Sequence, residues 1–122
     1  MSLPQHLRTG LRGEQLAARY LRDKKYSILA ANYYTRLGET DIVALTKDRK
    51  TLCFVEVKTR SPGQMLPPSE AVDYRKAENL KTNAAAFIKS SKLKEIEIRF
   101  DIIEVILHDL HTADINHIKN AF

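Results

Sequence analysis

The sequence predicts an α/β fold: a mixed central sheet flanked by helices, with elements in the order α-β-β-β-α-β. Three observations predict it. Apolar residues recur at helical spacing near the N-terminus and again after a proline-rich stretch. Four runs rich in β-branched and aromatic residues occupy the rest of the chain. Their order, with a helix between the third and fourth strands, implies helices packed against a mixed sheet.

The first helix fits residues 5–24, where Leu16, Ala17, Tyr20 and Leu21 form an apolar stripe that Leu7 and Leu11 extend backwards. "YSILAANYYT" is the first strand. "RLG" makes a turn, at which Gly38 can take the positive φ that a tight reversal often needs. "ETDIVALT" is the second strand, "KDRK" a polar hairpin loop and "TLCFVEVK" the third strand. "TRSPGQMLPPS" holds three prolines and a glycine and is a loop. Ser69 is placed to N-cap a helix over residues 70–90, with Glu70 at the positive end of its dipole and Val72, Leu80, Ala84, Phe87 and Ile88 as its apolar stripe. "EIEIRFDIIEVIL" is the last long strand, its later half apolar on both faces. The tail "HTADINHIKNAF" keeps Ile115, Ile118 and Phe122 at helical spacing and is expected to dock back on the domain.

At 122 residues the chain is expected to form a single domain, residues 1–122, long enough for a real core. Apolar residues make up 43%, which argues against disorder. No run of about 18 apolar residues is present, so no membrane span is expected, and "MSLPQHLR" lacks the apolar segment of a signal peptide. The single cysteine, Cys53, excludes an intramolecular disulfide framework and fits a cytoplasmic protein with a buried, inert thiol. The net charge of +5 is compatible with nucleic acid as a partner. Basic residues concentrate between Arg8 and Lys25 and between Arg75 and Lys94.

Within the apolar third strand, Glu56 and Lys58 emerge two apart and therefore on one face. If strands two and three form a hairpin they lie roughly 5 Å apart, and Asp41 can converge on Glu56. Two such carboxylates repel, and Lys58 neutralises only one. A divalent cation resolves the remainder, and oxygen ligands of this kind suit Mg²⁺. Glu14 shares a helix face with Ala17, Ala18 and Leu21, an unusual place for an acid without a task.

These residues carry a resemblance. Gly13-Glu14, "AARYL", "GETD" at Gly38 to Asp41, "FVEVKTR" at Phe54 to Arg60, Lys76, "RFD" at Arg99 to Asp101 and the ending "INHIKNAF" together resemble the bacterial YraN-like family. That family looks like a branch of the restriction-endonuclease-like, PD-(D/E)XK nuclease superfamily, similar in element order and helix glutamate to archaeal Holliday junction resolvases. The resemblance implies a restriction-endonuclease-like core. By position it makes Asp41 the first acid of the motif, Glu56 the second, Lys58 the lysine and Glu14 the glutamate of the first helix. Thr40 stands where the motif has proline.

The chemistry expected is metal-dependent hydrolysis of DNA phosphodiesters, with Mg²⁺ or Mn²⁺ held by Asp41, Glu56 and the carbonyl of Val57. Lys58 would stabilise the phosphorane and Glu14 would hold a water or support a second ion. Thr59, Arg60 and Lys76 are candidates for gripping phosphate. Resolvase-like proteins work as dimers, so a homodimer is compatible with the resemblance. Two other accounts stand beside this one: a catalytically silent nucleic-acid-binding module of the same fold, and a scaffold with structural charges. In the last, Glu56 and Lys58 pair with each other, Asp41 bonds the "RLG" turn, Glu14 pairs with Arg99, and Arg99 with Asp101 is a structural pair. His108 and His111 have a spacing seen in zinc sites but no second pair of ligands. No phosphate-cradling glycine loop is present.

Overall fold

Helix α1 (Gln5–Asp23) leads into three strands, β1 (Ser27–Thr35), β2 (Gly38–Leu45) and β3 (Thr51–Arg60). Helix α2 (Tyr74–Ser90), β4 (Glu97–Leu107) and β5 (Ala113–Ile118) complete the order. The computed structural model describes residues 4–36, 38–63 and 74–122, and the side chains of all of these except His6, Leu7, Tyr74 and Lys76. The proposed cap at Ser69, with Glu70 and Val72, lies outside the described residues, as do the side chains of Leu7 and Lys76.

The strands form one mixed sheet in the order β1-β2-β3-β4-β5. β1, β2 and β3 are joined as antiparallel neighbours, β3 and β4 run parallel, and β5 returns antiparallel along β4. A parallel pair needs a crossover, and α2 lies within it. Alternation along β3 builds a core on each side. Cys53 and Val55 pack with Ala17 and Leu21 of α1, while Leu52 and Phe54 pack with Ala84 of α2. Each fully buried large side chain such as Phe54 contributes roughly 1.5–3 kcal/mol. Cys53 is buried as expected, and burial pushes its thiol up to about 12.

α1 ends because Lys25 adopts a left-handed conformation, φ 71°. The Tyr26 N–H then reaches the Leu21 carbonyl at 2.9 Å and the Lys25 N–H the Arg22 carbonyl at 2.9 Å, which satisfies the helix end. The "KDRK" loop is a hairpin in which the Asp48 carboxylate accepts from the Thr46 hydroxyl at 2.7 Å and the Lys50 N–H at 3.0 Å.

Three local expectations are corrected. The tail is not helical: Ala113–Ile118 is a strand, because Ala113, Ile115 and His117 alternate onto the α1 side of the sheet and β4 offers an open edge. Asp109 sets the reversal by accepting from the His111 and Thr112 N–H groups. Gly38 does not use a positive φ; it is the first residue of β2, paired with Thr35. Leu11 does not continue the buried stripe but is 46% exposed, lining a cleft with Glu14.

Candidate functional site

The register between β2 and β3 runs from Leu45↔Leu52 to Ile42↔Val55. One step further it would set Asp41 opposite Glu56. The ladder stops there instead. The Val57 N–H, which a continued ladder would give to the β2 main chain, donates to Asp41 Oδ2 at 2.8 Å. A strand residue points its N–H and C=O to the same side, so the Val57 carbonyl also faces the side on which β2 departs.

Asp41 borders two adjoining clefts. One, of about 290 Å³, includes Glu14, Asn32 and Ile42 in its lining; the other, of about 180 Å³, includes Glu39, Glu56, Asn79 and Leu80. The Asp41 carboxyl is pushed up to about 7, by burial first and then by Glu56, with Glu14 and Glu39 adding to it against the lowering effect of the Val57 N–H. Glu14 is raised as well: burial is the main cause, Glu39 and Glu56 contribute, and a hydrogen bond with the Asn32 side chain works the other way. Four carboxylates therefore feel one another at this end of the sheet. Glu56 is itself buried, and Lys58 Nζ stands 3.3 Å from its Oε1.

Glu14 is brought here by its neighbour. A Cβ on Gly13 would fall 1.9 Å from Thr59 Oγ1, so only glycine lets α1 lie this close to β3. The same contact turns Thr59 towards α1, on the face of β3 opposite Glu56 and Lys58. Arg60 is half-buried and donates to the Thr59 carbonyl at 3.3 Å. Thr40 is fully buried and accepts from Asn83 Nδ2 at 3.1 Å, which ties α2 to β2 beside Asp41.

Asp41, Glu56, Val57, Lys58 and Glu14 thus meet at one place, Thr59 turns away, and the Lys76 side chain is not described. The residue not anticipated is Asn32. It sits in β1 with φ 52° and bonds Glu14; an asparagine inside the run "ILAANYY" was its signal, since asparagine tolerates the left-handed region. Of the structural alternatives, the Glu56–Lys58 pair forms, Asp41 bonds Val57 and not the turn, and Arg99 pairs with Asp101 at 2.9 Å and not with Glu14. His108 is paired with Asp114 at 2.8 Å.

The donors at Asp41 are all oxygen, which fits a hard cation. Among the described residues no three His, Cys, Asp or Glu side chains group closely enough to hold a metal by themselves. Asp41, Glu56 and the Val57 carbonyl are oxygen donors that could hold a cation only together with waters or a phosphate, the company Mg²⁺ usually keeps. Among the same residues no helix is long and apolar enough to cross a membrane.

The model of "Uncharacterised protein family UPF0102" matches residues 13–105, a span that includes Glu14, Asp41, Glu56 and Lys58. A UPF0102 protein of Alkaliphilus oremlandii is 48% identical over 115 residues, covering 93% of this chain and 96% of the relative. One from Syntrophomonas wolfei is 47% identical over 113 residues, with the same coverage, and one from Caldanaerobacter subterraneus is 46% identical over 112 residues, covering 90% of each.

Proposed function

The chain belongs to the uncharacterised, YraN-like family UPF0102, and for this member we propose a Mg²⁺-dependent endonuclease acting on DNA phosphodiester bonds, with branched or otherwise structured DNA as its substrate. One observation carries the reading: β2 leaves β3 at Asp41, whose carboxyl, pushed up to about 7, lies among the carboxylates of Glu56 and Glu14. Carboxylates crowded in this way call for a cation.

Asp41, Glu56 and the Val57 carbonyl would hold it. When bound, such an ion supplies Lewis acidity and lowers the pKa of water at phosphorus. Lys58 would set a fixed positive charge beside the phosphoryl oxygens as negative charge accumulates on them. Glu14, its proton affinity raised, would orient a water or take a proton from it. Arg60, at the end of β3, would fork onto the next phosphate, as would Lys76 from α2. A homodimer would supply the paired cuts that a four-way junction needs.

A catalytically silent DNA-binding module of the same fold is the second reading, favoured by the Glu56–Lys58 contact, in which each charge already has a partner. A panel of single-stranded, duplex, flap and four-way DNA with Mg²⁺ or Mn²⁺ separates the two. Cleavage that falls at least 100-fold in Asp41→Ala and Glu56→Gln, with salt-sensitive binding kept, supports the nuclease. Equal binding in chelator with no product on any substrate supports the silent module.

A further inference from the structure

β2 carries the chain away from Asp41 to the Thr46–Lys50 hairpin, and Thr51 pairs with Glu97 at the start of β4. A depression of about 470 Å³ opens at that end of the sheet. Asp41 and Lys47 are six residues apart, roughly 20 Å along a strand, so this is a different place from the carboxylate site. Lys24, Lys47, Arg99 and Lys119 line it, from the end of α1, the hairpin, β4 and the tail. The single carboxylate of the lining, Asp48, is taken up by the Thr46 hydroxyl and the Lys50 N–H. Among the described residues Lys47 and Lys119 have no ion-pair partner.

Arg99 is held ready in this depression. Its Nε donates to both oxygens of Asp101, at 2.9 and 3.2 Å. Its Nη2 donates to Asp101 Oδ2 and to the Tyr26 hydroxyl, each at 2.9 Å. These bonds lock the guanidinium plane and leave Nη1 without a protein partner among the described residues. The Tyr26 hydroxyl accepts from Arg99, so its own proton can go to a ligand. Four cations drawn from four parts of the chain, one of them pre-oriented, outnumber the carboxylates of Asp48 and of Asp101 behind Arg99, and the net positive charge repels a metal ion and matches an oxyanion.

We propose that this depression, formed by Arg99, Lys24, Lys47, Lys119 and the Tyr26 hydroxyl, is a phosphate-binding site. Its ligand is a phosphate group, carried either by a nucleic-acid backbone or by a free phosphate compound. It does not depend on the nuclease reading.

The test is thermal unfolding in pyrophosphate against sodium chloride at matched ionic strength. Wild type and Glu56→Gln are expected to gain a few degrees at about 10 mM pyrophosphate, as a ligand that binds only the folded state requires. The double variant Lys47→Glu/Lys119→Glu is expected to lose that gain. If its circular dichroism shows a folding defect, Lys47→Gln replaces it and is expected to lose at least half. No gain over chloride, or the same gain in every variant, overturns the site. The salt dependence of DNA binding in the Glu56→Gln background then identifies the source. A slope shallower by about one to two in the lysine variants assigns a backbone phosphate. An unchanged slope, with the pyrophosphate gain present in Glu56→Gln and lost in the lysine variants, assigns a free one.

Discussion

Asp41 shows how one side chain serves two ends. It completes the hydrogen bonding of β3 at Val57 and holds a half-buried carboxyl among three others. Its folded-state pKa of about 7 is above the ordinary value, so between about pH 4 and 7 the folded protein binds more protons than the unfolded chain. Stability from this residue is therefore present at low pH and is lost as pH rises through 7. Asp41→Asn keeps an acceptor for the Val57 N–H and removes the charge. It is expected to be more stable than wild type at pH 8, by on the order of 2 kcal/mol. The difference should shrink steadily towards pH 4, in urea melts at several pH values. A difference independent of pH would mean that the carboxyl is not perturbed.

At the scale of elements, the decisive contact is between α1 and β3. The 1.9 Å approach that a Cβ on Gly13 would make to Thr59 Oγ1 cannot be absorbed without moving helix or strand. Gly13→Ala is expected to cost about 1–3 kcal/mol, as overpacking does, measured by the denaturation midpoint. Gly13→Ala/Thr59→Ala should recover only part of this, because Thr59 Cβ would remain 3.0 Å from the new carbon. The same movement displaces Glu14, so the cleavage proposed for this site should be lost in Gly13→Ala even where the protein remains folded. The β2–β3 divergence is the second decision at this scale, because it leaves the Val57 N–H to a side chain.

Across the whole molecule, a buried polar network ties the ends together. Asp101 is fully buried and accepts from Arg99, from His117 Nε2 at 2.8 Å and from the Asn120 N–H at 3.0 Å, while Tyr20 meets His117 Nδ1 at 3.2 Å. α1 through Tyr20, the α1–β1 turn through Tyr26, β4, β5 and the tail are linked around one carboxylate. Burial alone would raise its pKa, but hydrogen bonds from His117, Arg99 and Asn120 prevail and hold it below the usual range. The stability it brings is thus present above about pH 4 and is lost as pH falls through its folded value. Asp101→Ala leaves Arg99 without its partner and is expected to cost about 3–5 kcal/mol at pH 7. Its stability should also fall less steeply than wild type below pH 4, in urea melts at pH 7 and pH 3. An equally steep acid limb in the variant would place the acid-sensitive groups elsewhere.

The elements were legible because their signals are local. The stripe of Leu16, Ala17 and Leu21, the alternation in β3 and the polar "KDRK" hairpin each declare their geometry within a few residues. So does the pairing of Arg99 with Asp101, two apart on one strand face. The sequence by itself also singled out Glu14, Glu56 and Lys58 as candidates, because an acid on a helix's packing face and two charges in an apolar strand are conspicuous where they stand. The tail misled, since three apolar residues satisfy a helical spacing and only the open edge of β4 makes Ala113–Ile118 a strand. Tertiary structure alone decided that Thr59 belongs to the α1 contact, that Asn32 reaches Glu14, and that β2 parts from β3 at Asp41. Each of these depends on how closely two distant segments approach, and residue spacing along one segment carries no record of that distance.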